Sequence, residues 1–328
     1  MNRLITLKTA LCQPRRHSGF SLIELMIALA IGLVLLAGLT MLIVQQSSTR
    51  DALEKSSRSI ENGRYAMQLL HDDIQMAGFY GEYSPLSGTV YSTPDPCVIT
   101  GNLGWDVTTV PVAIYGYPGG VGDPTSCGLN NYKPNTAILV VRRTASDTVA
   151  AASAVAGTTY LQVSRCSTSA TQFVLGAGGF VLREKDCSTL APLRKYIVRL
   201  YYISSCNSCG SDTIPTLKVV EFVDGVQTTL PLAEGIDNMQ FNYGLDNVAP
   251  PDGAPDSYVT APALADWSGV VAVRVNLLAR DSEPTAGYQD SKTYNLGGAA
   301  AVGPFNDAYK RHAYSELVRA INPSGRRE

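Results

Sequence analysis

Histidine is scarce. The 328 residues hold three, His17, His71 and His312, so a site built on imidazole as base or metal ligand has little to work with. There is no H-E-x-x-H, no G-x-S-x-G and no G-x-x-x-x-G-K, which removes the common zinc-peptidase, serine-hydrolase and P-loop patterns. A zinc ribbon needs two C-x-x-C units, and the chain has one, Cys206 to Cys209. That pair lies between strand-like runs, away from any helix start in a βαβ setting, so it reads as a structural disulfide and not as a redox pair. Charged residues make up 16% of the chain, against about 25% in ordinary soluble domains. No block of lysine and arginine offsets the acids, which argues against a nucleic-acid partner. With no catalytic constellation and no cofactor motif, the expectation is a chain that is not an enzyme and carries no cofactor.

What is present is one long apolar run, Gly19 to Val44, with a single charge, Glu24, near its start. Residues 25–44 are uncharged and mostly apolar, about 30 Å of α-helix and enough to cross a bilayer core. A carboxylate at the edge of such a run costs about 2.5–3.5 kcal/mol on insertion scales, so it is expected to have a role. The leader before the run carries Arg3, Lys8, Arg15 and Arg16 and no acid, which keeps it cytoplasmic and sends the rest across. A secretory signal places its small-residue cleavage site after the apolar segment. Here a small residue, Gly19, precedes the run, so cleavage is expected before it and the helix stays on the mature protein. Loss of the leader takes the bases from 26 to 22 against 28 acids, a net of −6.

Beyond Val44 the helix has reason to continue. Leu53, Ile60, Met67 and Ile74 recur every seven residues, with Leu70 and Ala77 completing one apolar stripe. Gly63 at an inner position speaks against a coiled coil, and Gly78 and Gly81 follow where a helix end favours positive φ. One helix over about 21–77 is predicted, with His71, Asp72 and Asp73 on its polar side as surface or interface. After Gly81 the texture turns to Gly/Pro/Ser/Thr loops and β-like runs at 136–143, 196–204, 216–224, 239–245 and 269–280. The second and third are joined by a Cys-bearing segment that suits a hairpin. Residues 81–135, with seven prolines, and the Gly-rich 284–310 read as loop. No internal repeat is evident. A helix followed by antiparallel strands is the α+β pattern. Cys12 lies in the leader; Cys97, Cys127, Cys166, Cys187, Cys206 and Cys209 remain, an even count that an oxidising compartment would join. Fifteen connectivities are open, and pairing of sequence neighbours is the expectation. Asp246, Asp252 and Asp256, in a Pro/Gly-rich loop, are weak candidates for oxygen ligation of calcium, with solvated loop acids as the plainer reading.

The order Gly-Phe-Ser-Leu-Ile-Glu-Leu at 19–25 resembles the class III signal of type IV prepilins. The resemblance implies cleavage by a prepilin peptidase between Gly19 and Phe20, N-methylation of Phe20, and a retained Glu24 that serves assembly and register. Two further stretches are similar to the minor pilin PilW family: 62–81, where Arg64-Tyr65-Ala66 leads through an acidic residue to Ala77-Gly78-Phe79, and the C-terminal half, with 241–246, 267–280 and 311–327. Residues 82–240 carry little that matches. Many major pilins have a helix-loosening proline where this chain has Met41. The implied fold is pilin-like: a long N-terminal α-helix, transmembrane in its first half, packed on an antiparallel β-sheet head with long disulfide-tied loops. The implied segments are a leader at 1–19, a transmembrane and filament-core helix at 20–44, its amphipathic continuation at 45–80 and a β-rich head at 81–328.

The function implied is that of a non-catalytic minor pilin. It helps prime pilus assembly and enters the pilus at or near its tip, supporting adhesion and twitching motility. Partners would be other minor pilins, the major pilin, the prepilin peptidase and the inner-membrane assembly platform, with a tip adhesin left open. Before assembly the chain would cross the inner membrane once with its head in the periplasm; afterwards it would lie in the pilus at the cell surface. Two alternatives stand beside this reading: a J-like minor pseudopilin of type II secretion, and a membrane-anchored periplasmic binding module.

Overall fold

The computed structural model describes residues 19, 21–85, 88–98, 101–120, 122–298 and 300–327. They fall into two compact units, 1–53 and 54–328. The long helix α1 runs from Leu22 to Met76. Ser21 starts it: Leu25 N–H donates to Ser21 O at 3.2 Å, and the Glu24 carboxylate accepts from Ser21 N–H at 2.9 Å. That is one half of an S-x-x-E capping box. The helix stops where predicted, at Gly78 (φ +72°) and Gly81 (φ +61°). Its terminal carbonyls lack intrahelical partners, and the short helix α2 (Ile321–Gly325) and its flank meet them. Asn322 Nδ2 donates to Ala77 O at 3.1 Å and Arg326 Nη1 to Gly78 O at 3.0 Å.

Thirteen strands are assigned among the described residues. Two short ones, β1 (Val90–Ser92) and β2 (Thr109–Pro111), pair in parallel. A seven-stranded antiparallel sheet joins β3 (Ile114–Tyr117), β4 (Ile138–Thr144), β5 (Tyr160–Val163), β6 (Phe173–Gly176), β7 (Leu193–Ser204), β8 (Thr216–Val223) and β9 (Val226–Glu234). A four-stranded antiparallel sheet has the order β11-β10-β12-β13, from β10 (Ile236–Leu245), β11 (Ser257–Val259), β12 (Val270–Arg280) and β13 (Arg311–Arg319). The β7–β8 pair is the expected Cys-bearing hairpin. Eight strands fall outside the expected runs: β1, β2 and β3 within the segment read as loop, and β5, β6, β9, β11 and β13. β9 contains Pro231, which an edge strand tolerates because its outer N–H has no ladder partner. β13 runs in polar and apolar pairs, without alternation, and buries only Val318.

Within the second unit, Met67, Leu70, Ile74 and Ala77 of α1 share one core with Leu139 and Val141 of β4, Tyr201 and Ile203 of β7, and the inner faces of β10 and β12. The predicted stripe is therefore the packing face, except that Ile60 is half-buried and Leu53 exposed. The other face of β4 and β7 is covered too. Ile138, Val140, Leu200 and Tyr202 lie in a second cluster with Cys127 and Leu129, and Trp105 centres a third with Tyr80, Tyr83 and Tyr196. From the segment read as loop, Tyr83, Trp105, Val110, Cys127 and Leu129 thus cover the outer face of the sheet. Between β12 and β13, Asp290 and Asp307 are held by Arg311, whose side chain, 1% exposed, meets them at 2.9 and 2.6 Å and Asp237 of β10 at 2.8 Å.

Gly63 has a specific cause. A Cβ built there would lie 2.4–2.8 Å from the Tyr314 ring and hydroxyl, and that hydroxyl donates to Ile60 O at 3.2 Å. The ring lies against bare backbone and cannot retreat without losing its bond. Gly63→Ala is expected to cost about 1–3 kcal/mol by overpacking, read as a lower urea midpoint at unchanged slope. Tyr314→Ala in the same chain should relieve the strain, and an additive double mutant would refute the contact.

Candidate assembly site

The N-terminal segment is built for an apolar surround. From Leu22 to Val44 the side chains of α1 are exposed, with Leu22 at 77% and Met41 at 73%, and the helix is long and apolar enough to cross a membrane. Its few polar groups are used locally. Thr40 Oγ1 bonds Leu36 O and Ala37 O at 3.0 and 2.9 Å, so no bare hydroxyl faces outward. The helix continues unbroken through Met41, as expected where no proline removes an N–H. Glu24 caps the positive end of the helix, where a carboxylate is favoured, and is exposed. Gly19 is exposed, with nothing within 4 Å of a built Cβ. Phe20 and the leader 1–18 lie outside the described residues, so the Gly19–Phe20 cleavage site is described on one side only.

The head-side end of α1 carries the strongest electrostatics, and here the expected polar triplet is corrected. Asp72 is exposed and His71 half-buried, its Nδ1 at 2.8 Å from Glu316 Oε1 on β13. Asp73, expected on the polar side, is buried. Three residues past Leu70 and beside Ile74, it falls on the flank of the packing stripe. Arg143 of β4 donates to Asp73 Oδ1 at 2.9 Å. Arg199 of β7 reaches both its oxygens at 3.1 Å and holds Glu221 at 2.9 Å. The Tyr201 hydroxyl donates to Oδ2; burial first, then the Asp73 charge, push that phenol well above its usual range, so it stays a donor. Burial is the largest single influence and works against the Arg199 charge, but Asp73, Tyr201 and Glu221 together outweigh it and hold the guanidinium above its ordinary value. The legible signal was parity: Arg143 shares a strand face with Leu139 and Val141, and Arg199 with Tyr201 and Ile203, so two cations point at the core and need an acid.

The cysteines join as sequence neighbours: Cys97–Cys127, Cys166–Cys187 and Cys206–Cys209. The loop aspartates do not form a cation cage. Asp246 is buried and its Oδ2 accepts from Gly253 N–H at 3.0 Å and Arg327 Nε at 2.9 Å. Asp256 Oδ2 accepts from Asn247 and Val248 N–H at 2.8 Å, and Asp252 Oδ1 from Ala254 N–H at 2.9 Å. They cap the turn between β10 and β11 instead, because short acids in such loops find backbone N–H groups first. Among the described residues the only compact set of ligand-type atoms is Asp95, Cys97 and Cys127, whose two sulfurs are already bonded to each other.

The family of type IV pilus-assembly protein W matches residues 200–322, from the end of β7 through β13. The prokaryotic N-terminal methylation motif matches residues 14–40. No curated protein matches the chain. Among solved structures, the chain is similar to the type IV-like pilin TTHA1219 from Thermus thermophilus, at 10% identity over 81% of this chain and 97% of that one, with a TM-score of 0.37. The match over the four-stranded sheet and the methylation motif at the apolar helix make the chain similar to type IV minor pilins of the pilus-assembly protein W family.

Proposed function

We propose that this chain is a minor subunit that helps initiate a type IV pilus and enters it at or near the tip, where it supports adhesion and twitching motility. The observation that carries the reading is Glu24, the only formal charge between Arg16 and Arg50, at the head of an exposed apolar helix. In this reading 1–19 is removed by the prepilin peptidase and Phe20 becomes the N-methylated terminus. Residues 20–44 span the inner membrane and later the filament core, 45–80 continue the helix, and 81–328 form the head, periplasmic before assembly and surface-exposed after it. Assembly slides the helices into a shared apolar core. A buried carboxylate is costly alone and tolerable when paired, so Glu24 and the free amine of a neighbouring subunit set axial register more than they add stability. A subunit that keeps this carboxylate docks beneath another, which puts it just below the outermost position. Its partners are other minor pilins, the major pilin and the inner-membrane assembly platform, with a tip adhesin as a further candidate.

The test is mass spectrometry of sheared pilus fractions. Mature chain beginning at methylated Phe20, together with other minor pilins, is expected, and Gly19→Val should accumulate as unprocessed precursor without pili. Leader peptides in the assembled protein would overturn the processing step. Co-purification with secretion pseudopilins alone would favour the type II secretion alternative.

A further inference from the structure

Where β7 passes between β4, β5 and β8, beside Pro94, Val98 and Leu103, lies a cavity of about 300 Å³. Arg142 of β4 forms part of its wall and is 1% exposed. Its Nη1 donates to Val112 O at 3.3 Å and its Nη2 to Pro94 O at 2.7 Å, but no carboxylate among the described residues lies within 4 Å of it. The fold treats other guanidiniums differently: the Arg311 side chain, 1% exposed, has three aspartates, and the half-buried Arg143 has Asp73. A buried charge without a counter-charge is strongly disfavoured. Lys195 of β7, half-buried in the same wall, makes no ion pair or hydrogen bond through its ammonium among the described residues.

The remaining charges fix the size of the deficit. Arg199 is neutralised by Glu221 at 2.9 Å. Asp95 is in the lining, with its oxygens held by Ser126 N–H and Oγ and by Cys97 N–H. Two cations against one acid leave a single positive charge. Val98, Leu103 and Phe222 add apolar wall, and at Gly176 a Cβ would meet only Gly178 O at 3.9 Å, so the space beside it is open.

We propose that this cavity binds the carboxylate of an organic acid with an apolar body, a monoanion held by Arg142 and Lys195. The guanidinium fork matches a carboxylate. A phosphate monoester, at about −1.5 to −2 charges, exceeds the single charge to be met. The carboxylate has two sources, a small free acid or the C-terminus of a polypeptide, and both meet the same contact.

The test uses the full mature chain in detergent, titrated by ligand-observed NMR with benzoate, benzamide and inorganic phosphate. Saturable benzoate binding is expected, with benzamide and phosphate weaker by about tenfold or more. Lys195→Gln should weaken benzoate about tenfold with no change in the thermal midpoint, and Arg142→Gln should abolish it. Since Arg142→Gln also removes bonds to Val112 and Pro94, the lysine variant keeps the test decisive if the arginine variant fails to fold. A peptide Ala-Val-Phe with a free carboxyl terminus, compared with its amide, separates the sources: binding far tighter than benzoate assigns a polypeptide terminus, and equal affinity a free acid. No saturable benzoate binding, equal affinity for phosphate, or benzoate affinity unchanged by Lys195→Gln would overturn the assignment.

Discussion

Asp73→Ala is expected to lower the stability of the head by about 3–5 kcal/mol, the range for removing one partner of a buried ionic group. The carboxylate is buried and meets Arg143, Arg199 and Tyr201 at once. Its loss leaves Arg143 without a carboxylate, the buried Tyr201 hydroxyl without its acceptor, and Arg199 with Glu221 alone. The readout is the urea midpoint of the full chain in detergent, at unchanged slope. Asp73→Asn should cost nearly as much, since shape is kept while the charge that holds both arginines is gone. Replacing all three, Asp73→Leu with Arg143→Met and Arg199→Met, should recover much of the loss, because apolar groups of similar volume need no counter-charge. A midpoint that scarcely moves in Asp73→Ala would mean that water reaches the arginines, and the ionic seat of α1 would have to be abandoned.

Glu24→Gln is expected to give normal membrane levels with few or no surface pili and weaker co-purification with partner minor pilins. The glutamine oxygen can still accept from Ser21 N–H, the bond that Glu24 makes at 2.9 Å, so the helix start is kept and only the charge is lost. Glu24→Ala also loses that cap, yet removes a group costing about 2.5–3.5 kcal/mol in the membrane, so insertion should not suffer. Immunoblots of membrane fractions against counts of surface pili separate the two steps. Full piliation in both variants would mean that the head alone recruits the subunit. Reduced precursor in Glu24→Gln would point to insertion or folding, and register by charge pairing would be refuted.

The local parts of this molecule were written in the chain. The apolar run, the seven-residue stripe and the glycines at 78 and 81 define a helix whose observed span, Leu22–Met76, lies within a residue of the expectation at each end. Helix periodicity and capping act over a few neighbours and need no tertiary partner. Runs rich in β-branched residues marked β4, β7, β8, β10 and β12 for the same reason. β9 and β13 escaped because an exposed edge strand has little apolar alternation to show, and its pairing is decided by the strand beside it.

Everything that depends on distant residues was settled only by folding. Parity could have shown that Arg143 and Arg199 face inward, but the acid that meets them came from a helix read as polar there, about 70 and 126 residues away in the chain. The six cysteines had fifteen pairings open to them, since loop-closure entropy varies too slowly with length to select one. Asp246 read as a loop acid until Arg327, 81 residues on, proved to occupy it. The cavity at Arg142 has no linear signature at all, because its walls come from loops and strands spread over residues 94–225. Periodicity and capping are short-range properties of a sequence, whereas burial and charge pairing are properties of three-dimensional neighbours, and only the tertiary structure supplies those.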